Sequence, residues 1–267
     1  MVWRPQWGKP HCGFSLAPLH DCQSGKIDKI GSMWRKWIGI LTVSSLAGMV
    51  LLYLNPVHDT IHRLAFLGSI VGFWMGSLLF FWKRIPIRYG LLVVPILPAV
   101  AFALPGKEIS QSELRKDYLE NMKRLQGVPY FWGGENFKGI DCSGLPRRSL
   151  RQALFHQGIE HGNGRALRMF AEQWWYDSSA KALSMGYRHY AVPLNVTGTI
   201  RTLDYSMLEL GDLGITEGGV HVMIYMGGDK WIQADPGKGR VAVSHGRTEN
   251  NTWFDVPVAV YRWTALN

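Results

Sequence analysis

Cys142 stands in a setting suited to nucleophilic chemistry. It follows a glycine-rich approach with Gly133, Gly134 and Gly139 and precedes Ser143 and Gly144. A thiol becomes a strong nucleophile on losing its proton, and the partial positive charge of a helix N-terminus favours that loss. Asp141 is a good cap residue. Arg147, Leu150, Arg151, Leu154 and Phe155 continue at helical spacing, which puts Cys142 at or near a first helical turn. The glycines permit tight turns and close backbone approach. Tyr130 and Trp132 supply a wall and hydrogen-bonding groups beside the cysteine.

An attacking thiol needs a base, and the base needs an orienting group. His221 lies in Val220–Met226, whose alternation reads as a strand. After a Gly227-Gly228-Asp229 turn comes a second strand, Lys230–Ala234. A hairpin sets His221 beside Gln233, which can hold the imidazole while His221 faces the thiol. Asp235 falls on the same strand face as Gln233 and remains a rival orienting group. Asp212, in Gly211-Asp212-Leu213, is better suited to fixing a turn. His156, His161, His189 and His245 lack such a context and read as surface residues. Arg147, Arg148 and Arg151 read as a solvated helix face, with contact to a carboxylate-rich peptide as the alternative.

From about Ser110 onward the chain resembles the NlpC/P60 family of papain-like cysteine peptidases. The resemblance rests on Tyr130-Phe131-Trp132-Gly133-Gly134, Asp141-Cys142-Ser143-Gly144-Leu145, Gly211-Asp212-Leu213, His221-Val222 and Ile232-Gln233-Ala234. It implies Cys142 as nucleophile, His221 as base, Gln233 as third polar residue and Tyr130 as a substrate-site tyrosine. Trp132, Gly133, Asp141 and Ser143 join Tyr130 as expected substrate-binding positions. It also implies peptidoglycan stem peptides as substrate and a bacterial source. Two departures stand out. The third position is most often His in this family, and Gln cannot share the imidazole's charge. Pro146 lacks an N–H and fits only a first helical turn.

The formal charge of +9 is unevenly placed. Residues 1–106 carry ten Lys/Arg against three Asp/Glu, and residues 107–267 carry nineteen against seventeen. The excess belongs to the N-terminal part, where it argues for membrane topology; no basic stripe with interleaved aromatics marks a nucleic-acid surface. Three cysteines, Cys12, Cys22 and Cys142, do not make a disulfide framework. No metal motif occurs in the C-terminal domain, and thiol chemistry needs no cofactor. His11, Cys12, His20 and Cys22 do not fit a structural zinc spacing.

Residues 1–32 read as a polar, disordered tail, and Met33 as an alternative start. The membrane region, 33–106, holds apolar runs at Trp37–Leu54, Leu64–Trp82 and Gly90–Leu104, giving two or three transmembrane helices. The third run is shorter and carries Pro95 and Pro98, consistent with a kinked span or a re-entrant segment. Six Lys/Arg precede the first run, Arg63 alone follows it and three follow the second. The positive-inside rule then places the tail and second loop in the cytoplasm. Three spans put the C-terminal domain outside the inner membrane, in the periplasm or beyond.

Within the hydrolase domain, 107–267, Ser110–Gln126 reads as a helix with Leu114, Tyr118, Met122 and Leu125 as its apolar stripe. Leu167–Tyr176 reads as another helix, and Tyr187–Leu203 as loop or short strand. The stretch 158–205 exceeds a minimal domain of this kind and is open to three roles: cleft insertion, membrane-facing flap or surface elaboration. Val220–Met226, Lys230–Ala234, Arg240–Val243 and Val256–Trp263 read as strands. The expected class is α+β: a helical half bearing the cysteine, packed on an antiparallel sheet bearing the histidine, preceded by transmembrane helices. Three functions remain open: a peptidoglycan amide hydrolase, a thiol acyltransferase or hydrolase acting on lipid-linked or acyl substrates, and a non-catalytic wall-binding module.

Overall fold

A computed structural model describes residues 19–267, with side chains from residue 32. The first helix, α1, runs Leu19–Leu54. The tail expected over 1–32 is therefore helical from Leu19. No proline stands between Pro18 and Pro56 to interrupt it. The side chains of His11, Cys12, His20 and Cys22 fall outside the described residues.

Three helical stretches among the described residues are long and apolar enough to cross a membrane: Ser32–Leu54, Thr60–Phe80 and Ile85–Ala103. The second is helix α2, Thr60–Phe80, capped by Asp59, whose carboxylate accepts from the His62 N–H at 2.8 Å. Small residues line its contact with α1. Gly72 faces Ser45, Gly76 faces Thr42 and Gly48 faces Ser69, so the two backbones approach closely. The third stretch comprises α3 (Ile85–Val93) and α4 (Ile96–Ala103), divided at Pro95. It begins five residues earlier than the apolar run suggested. Pro86 sits comfortably in a first turn, and Arg88 lies over the rings of Trp82 and Tyr89, at 5.2 and 5.0 Å, which accommodates its charge in the helix.

The C-terminal part is α+β. Helix α5 spans Gln111–Arg124, and a two-residue hairpin, β1 (Glu135–Asn136) and β2 (Gly139–Ile140), leads to α6 (Gly144–Glu160). Helices α7 (Gly164–Trp175) and α8 (Ala180–Ser184) follow. The sheet then forms from β3 (Ala191–Thr199), β4 (Leu213–Thr216), β5 (Val222–Gly227), β6 (Lys230–Asp235), β7 (Arg240–His245) and β8 (Pro257–Trp263). Its order is β3-β8-β4-β5-β6-β7, every neighbour antiparallel.

Leu114, Tyr118, Met122 and Leu125 are all buried, as the periodicity of α5 demands. With Leu145, Leu150 and Leu154 of α6 they meet Ile224, Ile232, Val241 and Trp263 of the sheet. The indole N–H of Trp263 donates to the Tyr118 hydroxyl at 2.9 Å, tying helix to sheet through a satisfied buried pair.

Strand β3 differs from the loop or short strand expected over Tyr187–Leu203: it has nine residues. Pro193, Asn195 and Gly198 read as breakers, but β3 is an edge strand and its register shifts between Pro193 and Thr197. An edge strand with a bulge tolerates such residues. Helix α7 begins earlier than expected because Asn163 accepts from the Arg165 and Ala166 N–H groups at 3.0 and 3.5 Å. It docks on the end of α4: Arg168 donates to the carbonyls of Phe102 and Leu104 at 2.7 and 3.1 Å.

The turn between α1 and α2 also lies against the domain. The His58 N–H donates to the Gly133 carbonyl at 3.0 Å and the Glu135 N–H to the Pro56 carbonyl at 2.9 Å. The α1–α2 turn and the end of α4 therefore sit at the same end of the helical region, on the domain side.

Candidate active site

Cys142 lies just before α6, two residues ahead of Gly144. Asp141 builds the turn that holds it. One carboxylate oxygen accepts from the Gly144 N–H at 2.5 Å and the Ser143 hydroxyl at 3.0 Å; the other accepts from the Gly133 N–H at 3.0 Å. Asp141 thus caps the helix from three residues upstream of its first residue and pins the glycine loop to it. Gly144 is required here, since a Cβ would stand 2.5 Å from the Gly134 carbonyl oxygen. Pro146 falls in the first turn. Leu145 and Arg147 donate to the Asp141 and Ser143 carbonyls at 3.1 and 3.3 Å, and the proline replaces only the intervening donor.

The thiol is 9% exposed and points at the Val220 carbonyl, 4.0 Å away, in the residue immediately before His221. Backbone groups of Val222 and Ser143 favour its thiolate, but burial and the neighbouring Asp141 carboxylate outweigh them and push the thiol up to about 11.

His221 ends the turn that enters β5. Its backbone is clamped by Thr216: the His221 N–H donates to the Thr216 hydroxyl at 2.8 Å, and the Thr216 N–H to the His221 carbonyl at 3.0 Å. Continuing the Ile224–Ile232 register sets His221 opposite Asp235, with Gln233 diagonally adjacent on the same face. The imidazole takes the diagonal partner, with Nε2 lying 2.6 Å from the Gln233 Oε1. Asp235 stands one step behind, 3.4 Å from the Gln233 side-chain nitrogen, and accepts from Asn251 at 2.7 Å. The ring of Trp253 stacks on His221, centroids 4.2 Å apart. Burial pushes His221 down to about 4, despite the Gln233 bond and the Asp235 charge, both of which raise it. At neutral pH the pair rests as thiol and neutral imidazole.

The other positions singled out in the sequence divide. Tyr130 is half-buried, and its phenol is pushed up to about 12 by burial, with Cys142 and Asp141 adding to the rise. Gly133 adopts φ +73° and presents its N–H to Asp141. Asp141 and Ser143 bond to each other and to the loop rather than facing an open cleft. Trp132 is 83% exposed. Asp212 fixes a turn: it accepts from the Glu209 N–H at 2.8 Å and pairs with Arg262 at 2.7 Å.

Arg147 and Arg151 depart from the expected solvated face; both are buried. The cause is a single buried carboxylate. Glu135 meets Arg151 at 2.8 Å, Arg147 at 3.5 Å and His58 at 3.3 Å, and the arginines hold its acid well below the usual range, at about 2, against the opposing effect of burial. Thr216, Asn251 and Trp253 escaped the sequence reading: Thr216 ends β4 five residues before His221, Asn251 and Trp253 follow β7, and no local pattern marks any of them.

Residues 127–262, half of the chain, match the NlpC/P60 family. The chain belongs to the NlpC/P60 family. Solved structures of NlpC/P60 proteins are similar to it at low identity. The peptidoglycan hydrolase RipB from Mycobacterium tuberculosis is 21% identical, covering 57% of this chain and 65% of that one, with a TM-score of 0.35. The NlpC/p60 domain of the peptidoglycan hydrolase SagA is 20% identical, covering 57% and 98%, at 0.34. An NlpC/P60 family protein from Bacillus cereus is 18% identical, covering 56% and 40%, at 0.35. The chain thus spans less than two thirds of the RipB and Bacillus cereus chains. Comparison with curated proteins returns no match.

Proposed function

We propose that this NlpC/P60 protein is a membrane-anchored cysteine hydrolase that cleaves amide bonds in the stem peptides of cell-wall peptidoglycan. The observation that carries the reading is the bond between His221 Nε2 and Gln233, which leaves the other ring nitrogen for proton transfer on the strand entry that Cys142 faces. His221 takes the thiol proton as Cys142 attacks the carbonyl carbon. The backbone N–H of Cys142 holds the developing oxyanion. The tetrahedral intermediate collapses with cleavage of the C–N bond, and His221 returns the proton to the leaving amine. Water then attacks the thioester with His221 as base, giving a carboxylate and regenerating the thiol. Gln233 orients the ring, and Tyr130, Trp132 and Gly133 contribute to the substrate surface.

The protein is placed by this reading in a bacterial inner membrane, with three spans and residues 107–267 outside. The docking of both the α1–α2 turn and the end of α4 on the domain supports an odd number of crossings between residue 32 and the domain. Release of new amino groups from purified peptidoglycan by the full chain, and not by Cys142→Ala, tests the reading.

A further inference from the structure

A cavity of about 260 Å³ opens where the α1–α2 turn meets the catalytic domain, separate from Cys142. Its apolar wall includes Leu52 of α1 and Phe66 of α2; its polar wall carries Arg63, Lys138, Arg148 and Arg151, with Glu135 as the only acid among the lining residues. The cations are not balanced alike. Arg151 has Glu135 at 2.8 Å, and Arg147 behind it is paired with Asp177 as well. Arg63 donates instead to neutral oxygens, the Trp174 carbonyl at 2.9 Å and the Thr60 hydroxyl at 3.2 Å. Arg148 donates to the backbone carbonyl of Glu135 at 2.9 Å. Neither has a carboxylate within ion-pair distance among the described residues, although Arg63 is only 5% exposed. Arg63 is buried and Arg148 half-buried; a buried guanidinium without a paired carboxylate is costly, so a cavity walled by these two favours an anion. His58 adds a buried Nε2 that lies 3.3 Å from Glu135 without the alignment of a hydrogen bond.

The position narrows the anion. Arg63 lies in the first turn of a candidate span and Leu52 in the last turn of another, at the level where a bilayer presents head groups. Anions concentrated there are lipid phosphates, and guanidinium forks suit phosphate oxygens. We propose that this cavity binds the phosphate head group of an anionic lipid, with Arg63 and Arg148 as its ligands, Lys138 at the rim, and the apolar wall between Leu52 and Phe66 receiving the start of an acyl chain. The site rests on the membrane reading for the source of its lipid and not on the hydrolase reading. It adjoins the loop that holds Cys142, because Pro56 and His58 bond to Glu135 and Gly133.

The test is lipid retention by the purified full chain in detergent, read by native mass spectrometry with phosphatidylglycerol, phosphatidylcholine and inorganic phosphate as probes. Binding is read without activity and without insertion in cells, so it stands or falls apart from the proposed function. Phosphatidylglycerol should be retained over phosphatidylcholine. Arg148→Gln and Lys138→Gln should each lower that retention, by about tenfold for the arginine, while Arg84→Gln at the other end of α2 leaves it unchanged. Lys138 is exposed, so its variant reports even if Arg148→Gln fails to fold. Displacement of the lipid by excess inorganic phosphate would assign recognition to the phosphate alone, and resistance to it would assign recognition to the whole lipid; both keep the site. Equal retention of the two lipids, or parental retention by the folded variants, would overturn it.

Discussion

The Gln233 amide oxygen lies 2.6 Å from Nε2 of His221, inside the fold where both residues are all but inaccessible. Asp235 is held back by one side chain. The imidazole therefore has a neutral partner, and under the proposed mechanism any charge it gains is supported only at second hand, through Gln233 to Asp235. Replacing Gln233 with Ala should lower kcat/KM by about tenfold to a hundredfold, the loss of one buried orienting bond. Gln233→His, the residue more usual in this family, should retain most activity. Steady-state cleavage of a stem peptide checks both.

Burial of the thiol and the imidazole makes a specific demand on reactivity. With Cys142 raised to about 11 and His221 lowered to about 4, no thiolate–imidazolium pair stands ready at neutral pH. The rate of Cys142 alkylation by iodoacetamide should climb steadily with pH from 6 to 9, since each pH unit raises the thiolate fraction about tenfold well below the pKa. Cys142→Ser supplies the background from other thiols. A plateau beginning at acid pH would indicate a preformed ion pair instead.

Acid should weaken the fold before it protonates ordinary carboxylates. His221 and His58 titrate near 4 when folded but near the ordinary imidazole value of 6.5 when exposed, so the unfolded chain takes up protons first as pH falls below 6.5. Stability is lost from 6.5 down to about 4. Glu135, depressed from 4.5 to about 2, adds a further loss over that lower range. Thermal unfolding of the full chain in detergent should show Tm falling between pH 7 and 4, with a shallower fall in His58→Gln. Glu135→Gln at neutral pH should cost about 3–5 kcal/mol, because it leaves Arg147 and Arg151 buried without their shared carboxylate.

Topology makes a prediction free of any enzymology. A cysteine introduced at Lys116 in the domain should react with a membrane-impermeant maleimide in cells whose outer layers are permeable to it. One introduced at Lys83, between the second and third spans, should react only after the inner membrane is opened. Equal labelling in intact cells would remove the three-span arrangement.

The parts legible in the sequence were those with local signals. Leu114, Tyr118 and Met122 repeat at helical spacing and are fully buried in α5. Cys142, His221 and Gln233 stood out through the glycine loop and the hairpin, and the fold draws them into one region. The rest depended on contacts made at a distance. Nothing near Arg147 or Arg151 announces Glu135, which turns an apparent solvated face into a buried ion cluster. Nothing in Pro56 or His58 signals pairing with residues 133–135. Trp253 reaches His221 only because the loop after β7 folds back over the site. Strand β3 was obscured by Pro193 and Asn195, which an edge strand admits and a central one excludes.

The most direct test of the central claim is digestion of purified peptidoglycan by the full chain beside Cys142→Ala, with soluble products read by mass spectrometry. The account predicts stem-peptide fragments carrying a new carboxylate and a new amine from the parent, and none from the variant. Fragments released equally by both, or none from a folded parent whose Cys142 remains reactive to iodoacetamide, would contradict it.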